Sequence, residues 1–222
     1  MQQADILKYK AVFFDLDGTM IDSAKDLSFA VSQMSNELNI SKPSLEKVKT
    51  WIGNGTLKLV ERSLSDSTGK KPDDEFLQKA FQIFSKAYRD CVGEHSVPFT
   101  GIKDLLVVLL SHNIKIACIT NKPLEFTEFL LQQNMISQFF TVVCAGDNVK
   151  HRKPDPWPLL FAAEKCGVDI KECLMIGDSE HDINAARNAG CNVYSVTHGY
   201  NHGNNIALSN PDGVINSFTQ LL

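Results

Sequence analysis

The 222-residue sequence predicts an α/β fold in which a parallel sheet carries helices on both faces and an all-helical cap is inserted into the chain. Three observations lead there. Short β-rich runs alternate with helical patterns over most of the chain, which is the signature of βαβ units and a parallel sheet. Those runs are apolar without clean alternation, as strands covered on both faces are. One stretch, 21–91, breaks the alternation and reads as helix throughout.

In chain order, the first strand is expected at 11–15 (AVFFD). Helices then follow at 24–39, 45–50, 56–65 and 73–88, with turn signals at Pro43, 53–55 and 69–72. A helix at 102–110 leads into a strand at 114–120 (IKIACIT). The helix at 124–133 follows Pro123, which suits a first helical turn. A strand at 141–146 (TVVCAG) precedes a helix at 158–166, and a strand at 173–178 (CLMIGD) precedes a helix at 182–189. Gly167 and Gly190 stand just beyond those two helices as C-caps. A last strand is expected at 192–197 (NVYSVT). The division that follows is a core of 1–20 and 92–222 and a helical cap of 21–91.

Composition narrows the class. With 43% hydrophobic and 22% charged residues, the chain resembles an ordinary globular protein and can bury a core without staples. A net charge of −4 offers no basic stripe for nucleic acid, so an anionic ligand has to be drawn in by local positive groups. The six cysteines form no CxxC pair, and several lie in apolar runs, where Cys behaves as a small hydrophobe. The start, MQQADILKYK, lacks the layout of a signal peptide, and no apolar run is long enough to span a membrane. A reducing cytoplasm is the expected setting.

Polar residues gather where the strands end. They are Asp15 and Asp17 in DLDGT, Thr120 and Asn121, Lys153 in a KPDP loop, and Asp178 followed by Asp182. Ligands of open α/β sheets bind beyond the carboxyl ends of the strands. Two residues apart in extended chain, Asp15 and Asp17 point to one side, with backbones roughly 6–7 Å apart. Carboxylates aimed at one pocket repel unless a cation or a shared proton intervenes. A hard divalent cation such as magnesium fits, with Asp178 as a further ligand. A calcium-binding loop does not fit. Counted from Asp15, Gly18 is fourth and Asp26 twelfth, where that loop needs Gly sixth and Glu twelfth. Taken singly, each group has a plainer reading: Asp17-Gly18 as a turn, Thr120 and Asn121 as caps of the following helix, Asp182 as an N-cap, Lys153 as a surface charge. His198 and His202, in HGYNHG, read as an ordinary polar loop.

Together, DLDGT, Thr120-Asn121, Lys153 and Gly177-Asp178 with Asp182 resemble, in order and over essentially the whole chain, the four motifs of the haloacid dehalogenase (HAD) superfamily. The resemblance implies a Rossmann-like core. The second aspartate, Asp17, is a mark of the family's phosphatases and is missing from its dehalogenases. The implied roles are Asp15 as nucleophile, forming an aspartyl-phosphate, and Asp17 as acid and then base. Such an acid has to carry a proton in the first step; the nearby Asp15 favours that and a metal opposes it. Mg2+ would be held by Asp15, Asp178 and the Asp17 carbonyl, with Asp182 orienting waters. Thr120, Asn121 and Lys153 would bind the phosphoryl oxygens, whose charge spreads in a loose transition state.

DLDGTMIDSAKDL, WIGNGT, GDSEHDINAARNAGC and THGYNHG are further similar to the bacterial phosphoglycolate phosphatases. In that resemblance Gly53, Asn54 and Gly55 form a substrate loop of the cap, and the helix near Thr56 offers its amides to the substrate carboxylate. Lys58 and Arg62 are possible assistants or solvent-facing charges. The expected partner is a small anionic phosphate ester, with no nucleic acid and no membrane, and the chain is a monomer or homodimer. Other readings are a sugar-phosphate phosphatase and a catalytically silent binding protein; the complete residue set argues against the second.

Overall fold

The computed structural model describes residues 6–222. Residues 1–5, with the parts of the 1–20 core segment and of the N-terminal reading that fall on them, lie outside the described residues. A six-stranded parallel sheet runs in the order β5-β4-β1-β6-β7-β8. Its strands are β1 (Ala11–Phe14), β4 (Lys115–Ile119), β5 (Val142–Cys144), β6 (Cys173–Gly177), β7 (Asn192–Val196) and β8 (Gly213–Ile215). β1 is central, with Phe14 opposite Cys118 of β4 on one side and Ile176 of β6 on the other. β8 was not expected; Val214 is exposed and only Ile215 enters a core, so the run carries too little buried apolar sequence to read.

The lack of alternation in β1 has a direct cause. Val12 and Phe14 enter one hydrophobic core, and Ala11 and Phe13 enter the other, so all four are fully buried. On the first face lie α5 (Ile102–Ser111) and α6 (Leu124–Gln133); on the second lie α7 (Trp157–Cys166) and α8 (Glu180–Ala189). Gly167 and Gly190 close α7 and α8 in the left-handed conformation, at φ 70° and 84°. Pro123 does not enter the first turn of α6. It is the N-cap residue, with extended ψ of 147°.

Four helices fill the insertion: α1 (Ala24–Glu37), α2 (Leu45–Lys49), α3 (Thr56–Thr68) and α4 (Asp74–Cys91). Ala30, Val31 and Met34 of α1 and Ala80, Phe84 and Tyr88 of α4 are all fully buried in a core continuous with that of the sheet's first face. The helical reading from residue 21 onward is corrected at its start. β2 (Ile21–Asp22) pairs antiparallel with β3 (Val97–Pro98), and this ribbon carries the chain into and out of the helices. No helix among the described residues is long and apolar enough to cross a membrane.

Candidate active site

Asp15 stands one residue beyond β1, its N–H bound to the Ile176 carbonyl at 3.0 Å. The neighbouring strand ends bring Asp178 and Asp182 to it, and ligand oxygens of the three carboxylates lie within 4.8 Å of one another. Each is fixed separately. Asp178 accepts from Thr19 Oγ1 at 3.0 Å and from the Tyr200 N–H at 2.7 Å. Asp182 occupies the third position of α8 and accepts from the Ser179 N–H and hydroxyl, a capping box in which Ser179, not Asp182, is the N-cap. Its other oxygen receives Lys153 Nζ at 2.6 Å. The same ammonium reaches Asp15 Oδ1 at 2.8 Å and the Ile119 carbonyl at 2.6 Å.

Lys153 is buried, so it is no surface charge. Burial works to lower its pKa, but the pull of Asp15 and Asp182 outweighs this and drives it up. Burial pushes Asp15 well above the usual carboxylate range, against the opposing pull of Lys153, with Asp182 and Asp178 adding to the rise. Asp178 is raised to about 6, first by burial and then by Asp182. One ammonium thus faces three buried carboxylates. Hard oxygen donors with a shortfall of positive charge suit a divalent cation. Gly18 makes the close approach possible. It has φ 82°, and a Cβ there would sit 2.6 Å from Asp178 Oδ2.

Asp17 points into a different set of partners. Lys122 Nζ donates to both of its oxygens at 3.1 Å, and Ser23 Oγ donates to Oδ1 at 2.5 Å. Lys122 also donates to the Tyr88 hydroxyl of α4 at 2.7 Å and is itself buried. Nothing in the sequence singles out Ser23 or Tyr88. The one available signal was the position of Lys122, directly after Thr120-Asn121 at a strand end.

Thr120 is buried, and its hydroxyl accepts the Lys122 N–H at 3.2 Å. Asn121 uses both amide hydrogens on carbonyls, Gly53 at 3.0 Å and Lys153 at 3.1 Å. Neither caps α6, whose first N–H, from Leu124, goes to Asp147 Oδ1 at 2.7 Å.

A cavity opens between these groups and the helical insertion. Asp15, Asp17, Thr120, Asn121 and Lys122 form its floor, while Gly53, Gly55 and Thr56 form its roof. Gly55, at φ 86°, is the N-cap of α3, which has no side-chain cap and no acidic residue in its first turn. Asn54 is not part of the lining and hydrogen-bonds His181. Lys58 pairs with Glu61 and Arg62 binds the Trp51 carbonyl, both away from this cavity. His198 binds the Thr19 carbonyl at 3.1 Å and lies against Phe99, whereas His202 binds the Thr50 carbonyl at 2.8 Å.

Residues 12–196 match a family model described as haloacid dehalogenase-like hydrolase. A phosphoglycolate phosphatase of Thiobacillus denitrificans is 41% identical over 96% of this chain and 94% of its own. One from Photobacterium profundum is 40% identical over 100% and 97%. Among solved structures, that of a predicted phosphoglycolate phosphatase from Haemophilus somnus superimposes with a TM-score of 0.92 at 30% identity, covering 96% of each chain.

Proposed function

Because this chain belongs to the haloacid dehalogenase-like hydrolases and is a phosphatase, we propose that it hydrolyses 2-phosphoglycolate to glycolate and phosphate with Mg2+ through an aspartyl-phosphate on Asp15. The observation that carries this reading is the cavity. It sets the Asp15 and Asp17 carboxylates beneath the uncapped N-terminus of α3. A substrate with a phosphate at one end and a carboxylate a few atoms away matches that arrangement. The phosphoryl group meets Asp15, and the carboxylate meets the free amides and positive dipole end of α3.

Asp15 attacks phosphorus in line, and the bond to the glycolate oxygen breaks. Lys153, held against Asp15 and Asp182, keeps a positive charge beside the nucleophile. Asp17 gives a proton to the departing oxygen and later takes one from the water that opens the aspartyl-phosphate. Lys122 and Ser23 aim its carboxyl group at the cavity. Thr120 and Lys153 face the phosphoryl oxygens. Asn121, its amide hydrogens already engaged, contributes by fixing Gly53 and Lys153 around them. The Asp15 and Asp178 carboxylates and the Asp17 carbonyl would hold Mg2+, and Asp182 would orient waters beside it. The metal, when bound, supplies positive charge to the transferring phosphoryl group. In this reading 1–20 and 92–222 form the catalytic core, and 21–91 forms the cap that selects the leaving group.

Turnover of a panel of small phosphate esters with Mg2+ tests the substrate, and 2-phosphoglycolate is expected to give the highest kcat/KM. A sugar phosphate ranking first would replace it. Asp15→Asn is expected to remove both turnover and the hydroxylamine-sensitive phosphoenzyme, and full activity in that variant would end the nucleophile assignment.

A further inference from the structure

The insertion is joined to the core through the β2/β3 ribbon, on which it would pivot. The 50–55 segment that roofs the cavity is held by other means. Asn121 Nδ2 donates to the Gly53 carbonyl from the floor. Two further bonds come from histidines outside the catalytic set. His202 Nδ1 lies 2.8 Å from the Thr50 carbonyl, and His181 Nε2 pairs with Asn54 Nδ2.

These partners settle the ring tautomers. A carbonyl only accepts, so His202 carries its proton on Nδ1; the Asn54 amide donates, so neutral His181 carries its proton on Nδ1. That leaves His202 Nε2, His181 Nδ1 and Asn54 Oδ1 buried without a protein partner. The two rings meet edge to face, with centroids 5.7 Å apart. Polar atoms buried in this way are costly, and they lie at the contact with the 50–55 segment, where a Cβ on Gly53 would come within 3.7 Å of His202 Cε1. Lifting the roof would return them to water. Three unpartnered polar atoms make this contact less costly to part than a packed apolar one.

We propose that His181 and His202 are positioning residues that latch the 50–55 segment down over Asp15. They set how tightly the roof closes and do not touch the reacting atoms. Their placement couples the latch to the site. His181 neighbours Asp182 on α8, and His202 follows the loop whose Tyr200 N–H holds Asp178. The proposal rests on the phosphatase reading of the cavity for its kinetic consequences, but not for its structural one.

Trp51 lies inside the latched segment and Trp157 is the chain's other tryptophan, stacked on Phe161 in α7. Full-length Trp157→Phe protein therefore reports the roof through Trp51 fluorescence. In that background His181→Ala and His202→Ala are each expected to raise acrylamide quenching of Trp51, and His202→Asn, which keeps an N–H donor, is expected to restore it. With Mg2+ and 2-phosphoglycolate, each alanine variant is expected to raise KM about tenfold while kcat stays within about threefold. His181→Ala and Asn54→Ala together are expected to cost no more than either alone, because they remove one bond. Quenching equal to the parent's, or additive losses in that pair, would overturn the latch. So would a fall in kcat at constant KM, since that marks a role in the chemistry. If a variant fails to fold, Asn54→Ala, on the roof itself, decides by the same quenching. A parent protein inert toward every phosphate ester would count against the phosphatase reading, while Trp51 would still judge the latch.

Discussion

Asp17 differs from Asp15 in what holds it. Asp15 shares Lys153 with Asp182 among the clustered carboxylates, whereas Asp17 faces a separate buried ammonium, Lys122, and the Ser23 hydroxyl. Each of the two carboxylates thus has its own buried lysine. Lys122→Met keeps the stem and removes the charge, leaving both Asp17 oxygens and the Tyr88 hydroxyl without that donor. If Lys122 positions the proton carrier, the loss depends on how much proton the leaving group needs. On 2-phosphoglycolate kcat is expected to fall about 100-fold, within the range for general acid catalysis. On p-nitrophenyl phosphate, whose phenolate departs without a proton, about tenfold or less is expected. Equal losses on the two esters, measured side by side by phosphate release, would reduce Lys122 to a support of the fold.

At the scale of elements, the return of the chain from the helical insertion depends on one buried carboxylate. Asp26 of α1 is fully buried and accepts from the N–H groups of Gly93, His95 and Ser96, from the Ser96 hydroxyl and from His95 Nδ1. It therefore binds the segment between α4 and β3 to α1. Nothing in the sequence marks this role; Asp26 entered there only as the residue that spoils a calcium loop. Its partners lie 67 to 70 residues away, and three of the five donors are main-chain N–H groups, which leave no side-chain pattern to read. Asp26→Ala strands those donors in a buried place and is expected to cost about 2–4 kcal/mol. Urea denaturation of the full chain measures this, and a cost below about 1 kcal/mol would mean that water or the remaining contacts replace the carboxylate.

Over the whole molecule, legibility follows burial and sequence distance. Strands β1, β4, β5, β6 and β7 could be read because each feeds both cores at once, as Phe13 and Phe14 do. Their polar ends could be read because a single sheet edge collects them. The ribbon, β8 and the Lys122–Tyr88 contact could not: the ribbon strands are two residues long, β8 buries only Ile215 fully, and the contact is created only when the insertion folds over the core. Burial of the same depth acts on the six cysteines, all free and all buried. It pushes the thiols of Cys91, Cys144, Cys173 and Cys191 up to about 12, and those of Cys118 and Cys166 upward as well. Burial likewise raises the Tyr88 and Tyr200 hydroxyls. An unfolded thiol ionises near 8.5, so above that pH the unfolded chain releases protons that the native chain keeps. The native state then binds more protons, and stability falls as pH rises. The raised Lys153 acts with the same sign, because its stabilisation is lost as pH climbs through its folded pKa. The urea midpoint of the reduced protein is therefore expected to change little from thiol ionisation between pH 7 and 8 and to drop steeply from about pH 9 upward. Native protein should also react with a thiol reagent at pH 8 far more slowly than the same chain in guanidinium, where all six cysteines become available. A midpoint unchanged up to pH 10.5, or rapid labelling of the native chain, would show that the cysteine-bearing strands and helices open far more readily than their packing implies.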